Sequence, residues 1–266
     1  MAHLQNLESE QSSKLLSDSS SVRLEFHFLS LFPEVFQSIL QSSLLGKAQS
    51  KGLVSYSFTQ IRDFAAGKHR TVDDTPFGGG EGMLLKADVL YAAWESIVRS
   101  PSLAQAGAEE SKTATILLSP QGGLFNQSQA HDFTRYSRLI FVCGHYEGVD
   151  ERFIDLCVDY EVSIGDYVLT GGELPALVMA DAITRLVPGV VGNERSLSEE
   201  SLEQGLLKYP QYTRPREFQG LSVPDVLLQG DHRAIQTWRQ RQMRERTCQK
   251  RPDLWQKFNL KNNPQK

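Results

Sequence analysis

Apolar and polar residues alternate over residues 23–29 (RLEFHFL), the period of a strand. Pro33 stands where a helix opens, and Val35, Phe36, Ile39, Leu40, Leu44 and Leu45 continue as one helical stripe. Phe32 and Phe36 are expected in the core. A second strand fits residues 54–58, residues 84–98 have helical character, and residues 99–113 read as a solvent loop. Two continuous apolar runs follow, 115–118 and 138–143, then a third at 158–164. Unbroken apolar strands are the mark of burial on both faces. Residues 174–187 predict a helix with Pro175 in its first turn, apolar spacing at Leu174, Leu177, Val178 and Ala182, and a stop at Pro188-Gly189. The fold class is therefore α/β: a mostly parallel sheet with helices on both faces. A basic helix over residues 233–247 adds a small helical C-terminal domain.

Composition alters this picture at the two ends of the chain. Residues 1–22, rich in Ser and Gln, are expected to be a disordered tail. The organisation that follows is a main domain at 23–188, a linker at 189–216 and a C-terminal domain at 217–266. The net charge of −4 speaks against nucleic acid only until it is divided. From Gly205 to Lys266 there are 13 Lys and Arg against 5 Asp and Glu, so a basic end is joined to an acidic body. Phosphate backbones are bound by such local patches. No apolar run approaches the roughly 18 residues that span a membrane, and no basic-then-apolar leader is present, so a cytoplasmic protein without membrane contact is expected. Cys143, Cys157 and Cys248 show no metal-ligand spacing. They are expected to be buried free thiols, and no metal site is expected.

Chemistry concentrates in three loops that follow the apolar strands: SPQGG at 119–123, GHYEG at 144–148 and SIGDYVLTGGELPA at 163–176. Glycines let backbone amides and carbonyls approach a flat ligand. In open α/β sheets, ligands lie beyond the carboxyl ends of the strands. One such loop is more often only a tight turn; three on consecutive strands point to a ligand site. A further loop, DDTPFGGGEGM at 73–83, has four glycines in five positions and is mobile or sharply turned, but matches neither dinucleotide nor P-loop spacing.

LSPQG, CG-x-YEG-x-DER, SIGDYVL-x-GGELPA, PGV-x-G, QGLL, YTRP and VP-x-VLL-x-G-x-H occur in order, preceded by SLFPE and HRTVDD-x-P-x-GGG-x-GM. Together they resemble the bacterial tRNA (guanine-37-N1)-methyltransferases of the trefoil-knot (SPOUT) superfamily, over residues 24–254. The resemblance implies a deep trefoil knot, S-adenosylmethionine as methyl donor, tRNA as partner, and a homodimer whose active sites are shared between chains. It places the donor against Ser119, Pro120, Gly144, Tyr146, Ile164, Gly165, Asp166, Tyr167, Val168, Leu169, Gly171, Gly172 and Pro175. Glu147 and Arg185 fall with the catalytic residues. Guanine N1 carries a proton, so its methylation needs a base for that proton and a donor for charge developing on O6. Arg185 suits the second task; the residue pattern by itself reads Arg185 as an i,i+4 partner of Asp181.

Two positions depart from the family pattern. The family's linker aspartate is replaced: the matching stretch is Ser198-Glu199-Glu200-Ser201-Leu202, with Glu200 in the aspartate's place. Glutamate keeps the carboxylate and adds a methylene, so Glu200 is favoured as base, with Glu199 or reduced activity left open. At position 145 the usual arginine is a histidine, exchanging a fixed charge for a titratable ring. For RNA, Arg239, Arg241, Arg244 and Arg246 with Trp238 suit phosphate contacts and stacking, and Arg70 and Arg214 join them. Two other functions remain open: a related ribose 2′-O-methyltransferase, and a tRNA-binding module with weak or no turnover.

Overall fold

The computed structural model describes residues 22–101, 112–192 and 200–262. The expected tail at 1–22, all but its last residue, residues 102–111 of the loop expected at 99–113, and Glu199 therefore lie outside the described residues; at the loop's ends Arg99 belongs to a helix and Thr113 to a strand. The chain divides at Gly192/Asn193 into two compact units, and each is described by itself.

In the first unit, β1 (Leu24–Ser30), β2 (Val54–Gln60), β5 (Thr113–Leu124), β6 (Arg138–Cys143) and β7 (Tyr160–Ser163) form one parallel sheet in the order β2-β1-β6-β5-β7. Alternation of side chains splits each strand between two cores. Leu24, Phe26 and Phe28 of β1 and Leu139, Phe141 and Cys143 of β6 face one core; Leu29, Ile140 and Val142 face the other. The first core is closed by α1 (Glu34–Leu40), α2 (Ser43–Ser50), α4 (Gln127–Phe133) and α6 (Glu173–Thr184); the second by α3 (Ala87–Arg99) and α5 (Glu151–Cys157). In the first core Phe28 lies 4.4 Å from Phe36 and 5.5 Å from Phe141 between ring centroids. Burying each such ring contributes about 1.5–3 kcal/mol. A minor pair, β3 (Asp73–Asp74) with β4 (Leu84–Leu85), lies beside the sheet.

Several expectations change here. The single stripe at 35–45 is two helices. Ser42 is extended, Ser43 has φ of 49° and the Ser42 hydroxyl bonds back to the Ser38 carbonyl, so the chain turns between Leu40 and Leu44. The helix expected from residue 84 starts at Ala87, because Leu84 and Leu85 pair with Asp73 and Asp74. Phe36 is buried, but Phe32 is 42 % exposed. On α6, Leu177 points inward while Leu174 and Val178 are exposed. The inward face is instead Pro175, Ala176, Leu177, Met179, Ala180 and Ile183. Cys143 and Cys157 are buried and Cys248 is exposed, so the third thiol departs from expectation.

At the amino end of the sheet, Arg138 and Glu25 form a buried ion pair at 2.9 Å. The Arg138 Nη1 also donates to the carbonyls of Ile97 and Ser100, at 2.9 and 3.2 Å. A cation there answers the carbonyls left open at the end of α3.

In the second unit, a short hairpin of β8 (Glu217–Phe218) and β9 (Leu221–Ser222) precedes α7 (His232–Lys250) and α8 (Pro252–Asn262). Asp231 caps α7 by accepting from the amides of Arg233 and Ala234. Thr247 of α7 accepts from the Leu207 amide at 2.8 Å, next to the buried Leu206, and so ties the preceding segment to the helix. No helix among the described residues is long and apolar enough to cross a membrane.

Candidate functional site

The carboxyl ends of β5, β6 and β7 make the site. In β5 the register shifts: Leu118 and Gly123 both face Val162, so residues 119–122 stand out of the ladder as a bulge. A Cβ at Gly122 would overlap the Glu161–Val162 peptide, so only glycine lets β7 close against this bulge. Ser119 Oγ accepts from the Gln121 amide at 3.1 Å and shapes the turn. After β6, Tyr146 takes φ of 60°, a left-handed conformation that costs a non-glycine residue about 1–2 kcal/mol. After β7, the Ser163 hydroxyl donates to the Gly165 carbonyl at 3.1 Å, and the chain returns beside β6. There His145 and Gly171 pair antiparallel and the Gly172 amide donates to the Gly144 carbonyl at 3.0 Å. A Cβ on Gly172 would lie 2.6 Å from the Cys143 Cα, so the approach requires glycine.

These three loops enclose a cavity of about 530 Å³. Such a volume suits a nucleoside-sized ligand. Every residue of the expected donor set lines it except Asp166, which is exposed on the same loop. Glu147 lines it too, its amide bonded to the Met83 carbonyl at 3.0 Å. The turn at residues 78–82, with positive φ at all four glycines, passes over Glu147; a Cβ at Gly82 would overlap that carboxylate. Below the cavity, burial and then the Glu173 charge push the Cys143 thiol well above its ordinary range. It stays protonated and is no nucleophile.

Sequence reasoning left one group of residues undetected as a unit. His145 Nε2 lies 2.8 and 2.9 Å from the two Glu173 oxygens, and the Ser30 hydroxyl donates to Glu173 Oε1 at 2.6 Å. Glu173 is 6 % exposed and Ser30 fully buried. Ser30 lies 143 residues from Glu173, and no local spacing could have paired them.

The other expected residues are more scattered. Arg185 directly follows α6, half-buried, its amide bonded to the Asp181 carbonyl at 3.3 Å; it does not line the cavity. In the second unit, Glu200 enters a turn closed by the Leu202 amide on the Leu206 carbonyl at 2.8 Å. Arg239 is half-buried, its guanidinium 4.6 Å from the Tyr209 ring centroid. Trp238 is half-buried beside Tyr212, which is exposed. Arg241 pairs with Glu245 at 3.7 Å, and Arg244 and Arg214 are exposed. In the first unit, Arg70 is exposed and bonds Asp63 at 3.0 Å. Among the described residues, no cluster of three or more His, Cys, Asp or Glu could hold a metal ion.

Comparison with known proteins bears on the whole arrangement. The family model described as tRNA (Guanine-1)-methyltransferase TrmD matches residues 24–257. A tRNA (guanine-N(1)-)-methyltransferase of Moorella thermoacetica is 50 % identical over 232 residues, covering 87 % of this chain and 90 % of that protein. Proteins of the same name from Staphylococcus carnosus and Clostridioides difficile are 48 % and 46 % identical, covering 89 % and 90 % of this chain and 93 % and 100 % of their own lengths.

Proposed function

The chain belongs to the tRNA (guanine-1)-methyltransferase family, and on that premise we propose that it moves a methyl group from S-adenosylmethionine to N1 of guanosine 37, beside the tRNA anticodon. The observation that carries the donor assignment is the glycine-walled cavity at the three strand ends. Its volume suits a nucleoside-sized donor, and its glycines let the three loops that wall it pack closely against one another. When bound, S-adenosylmethionine supplies a methyl on a sulfonium, already electrophilic without a metal.

The chain's own residues then have distinct tasks. Ser119, Pro120, Gly144, Tyr146, Gly171, Gly172 and Pro175, with the segment 164–169, hold the donor and exclude water. Glu147, kept under the glycine turn, orients the guanine edge. Arg185 meets the negative charge that develops on O6. Glu200 accepts the N1 proton, with Glu199 as the competing base. The second unit contributes Arg214, Arg239, Arg241 and Arg244 toward tRNA phosphates, joined by Arg70 of the first. The trefoil knot and the domain scheme of 23–188, 189–216 and 217–266 belong to the same proposal.

A homodimer with shared active sites is part of this reading. Its support is an apolar face that a lone chain would leave wet. Phe32, Val35 and Ile39 at α1 and Leu174 and Val178 on α6 are all 40–52 % exposed, and α1 packs beside α6. Contiguous apolar surface of this kind marks an interaction site.

The test uses labelled S-adenosylmethionine with tRNAs that differ only at the base following the anticodon. Label on N1 of guanosine 37 is the expected result. Label on a ribose, or tight binding without label, would overturn the reading. Glu200→Gln should then slow transfer by on the order of 10²–10⁴-fold, while Glu199→Gln has little effect. If neither variant slows transfer, the base lies elsewhere.

A further inference from the structure

Tyr146 occupies a left-handed conformation that its own side chain does not favour, so its neighbours must hold it there. The residue before it is the most constrained in the turn. Ser30 Oγ accepts from the Phe32 amide at 2.8 Å, which leaves its proton for Glu173 Oε1. Glu173 opens α6, where a helix favours negative charge. Both of its oxygens face His145 Nε2, so that nitrogen carries a proton and the ring orientation is fixed. The edge of Phe32 closes one side of the imidazole at 5.0 Å between centroids. On the other side the His145 backbone pairs with Gly171, and a Cβ on Gly171 would overlap the imidazole. The ring therefore has one seat. The residues it precedes, Tyr146 and Glu147, stand in the cavity wall.

We propose that the Ser30–Glu173–His145 chain is the clamp that sets this wall, and that His145 is a positioning residue for donor binding. This rests on the donor reading of the cavity given above. The clamp works through Nε2, and that makes it separable from a direct contact by the ring. The amide nitrogen of glutamine reaches the position of Nε2. That of asparagine reaches only the position of Nδ1.

The test is calorimetric titration of the full chain with S-adenosylmethionine and with S-adenosylhomocysteine, alongside thermal melting and tRNA binding without donor. His145→Asn should weaken donor binding about tenfold, the order expected for one lost hydrogen bond to a buried charge. His145→Gln should stay within about threefold of the unaltered protein, because it keeps the Glu173 bond. In turnover, the loss in His145→Asn should appear as a raised donor KM more than a lowered kcat, with tRNA affinity unchanged. Equal losses in the two variants, a greater loss in His145→Gln, or a loss confined to kcat would overturn the clamp. Should His145→Asn melt below the assay temperature, Ser30→Ala removes an anchor outside the cavity wall. Weaker donor binding there supports the clamp, and unchanged binding overturns it. If the unaltered protein binds neither adenosyl compound, the donor reading itself falls; if it binds both and the variants match it, the clamp alone falls.

Discussion

The parallel sheet has a buried carboxylate with a basic side chain against it at each end. At the amino end Arg138 and Glu25 meet at 2.9 Å, with side chains 3 % and 4 % exposed. At the carboxyl end His145 and Glu173 meet at 2.8 Å, with side chains 16 % and 8 % exposed. The pairing chemistry is alike, and the surroundings decide what each does. Arg138 directs further donors at the closing carbonyls of α3, so its pair ends in packing. His145 stands in a cavity wall between glycines that let two loops touch. Ligands of open α/β sheets gather at the carboxyl ends, where the connecting loops begin. A buried charge there positions a site; at the other end it fastens a helix to a strand.

The largest effect should come from breaking the amino-end pair. Arg138→Met takes the guanidinium from the buried Glu25 carboxylate, leaving His27 Nδ1 at 3.9 Å, and should cost about 3 kcal/mol in urea denaturation. Donor affinity of the folded protein should not change. A loss below about 1 kcal/mol, the range of an exposed pair, would erase the contrast between the two ends. Next in size is the β5 bulge. Gly122→Ala places a methyl in the Glu161–Val162 peptide and should cost about 1–3 kcal/mol, with weaker donor binding as the loop is displaced. At Gly123 a Cβ meets open space, so Gly123→Ala should change stability by no more than about 0.5 kcal/mol. Equal costs at the two glycines would show that the bulge tolerates displacement.

Much of the carboxyl end could be read from the chain before its structure. β6 spans residues 138–143 as expected, because a strand buried on both faces is an unbroken apolar run with polar residues at its borders. The three loops were legible because small residues cluster where such runs stop. The missing parts are long-range. The residues that close the clamp lie 28 and 143 positions apart, and no period or motif links them. The same holds for the stacking of Arg239 on Tyr209, which no local period predicts. The β5 bulge reads as a loop, since SPQGG lacks strand formers, yet pairing with β7 resumes at Gly123. On α6 an apolar spacing was visible, but the helix is apolar on nearly every side. Which side faced inward was a matter for its neighbours, and Leu174 and Val178 turned out exposed.

A remaining variant tests whether nearness to the cavity is enough to give a residue a role there. Asp150 caps α5 at the same end of the sheet: it accepts from the Arg152 amide at 3.0 Å and pairs with the Arg152 side chain at 2.7 Å. It does not line the donor cavity. The Arg152 bond holds its carboxyl below the ordinary value of 3.8. A carboxyl lowered by folding adds stability at pH values above the unfolded value, and that stability is lost as pH falls through the lowered one. Asp150→Ala should therefore cost about 1 kcal/mol at neutral pH, as a lost N-cap does. The difference from the unaltered protein should shrink below about pH 4, where the unfolded carboxyl takes up its proton. Donor binding should be unchanged throughout. Denaturation curves at pH 7 and pH 3, read beside a donor titration at pH 7, give all three quantities. A donor affinity that falls with the cap would mean that α5 transmits to the cavity, and the Asp150–Arg152 pair could then no longer be set as a structural one against His145 and Glu173.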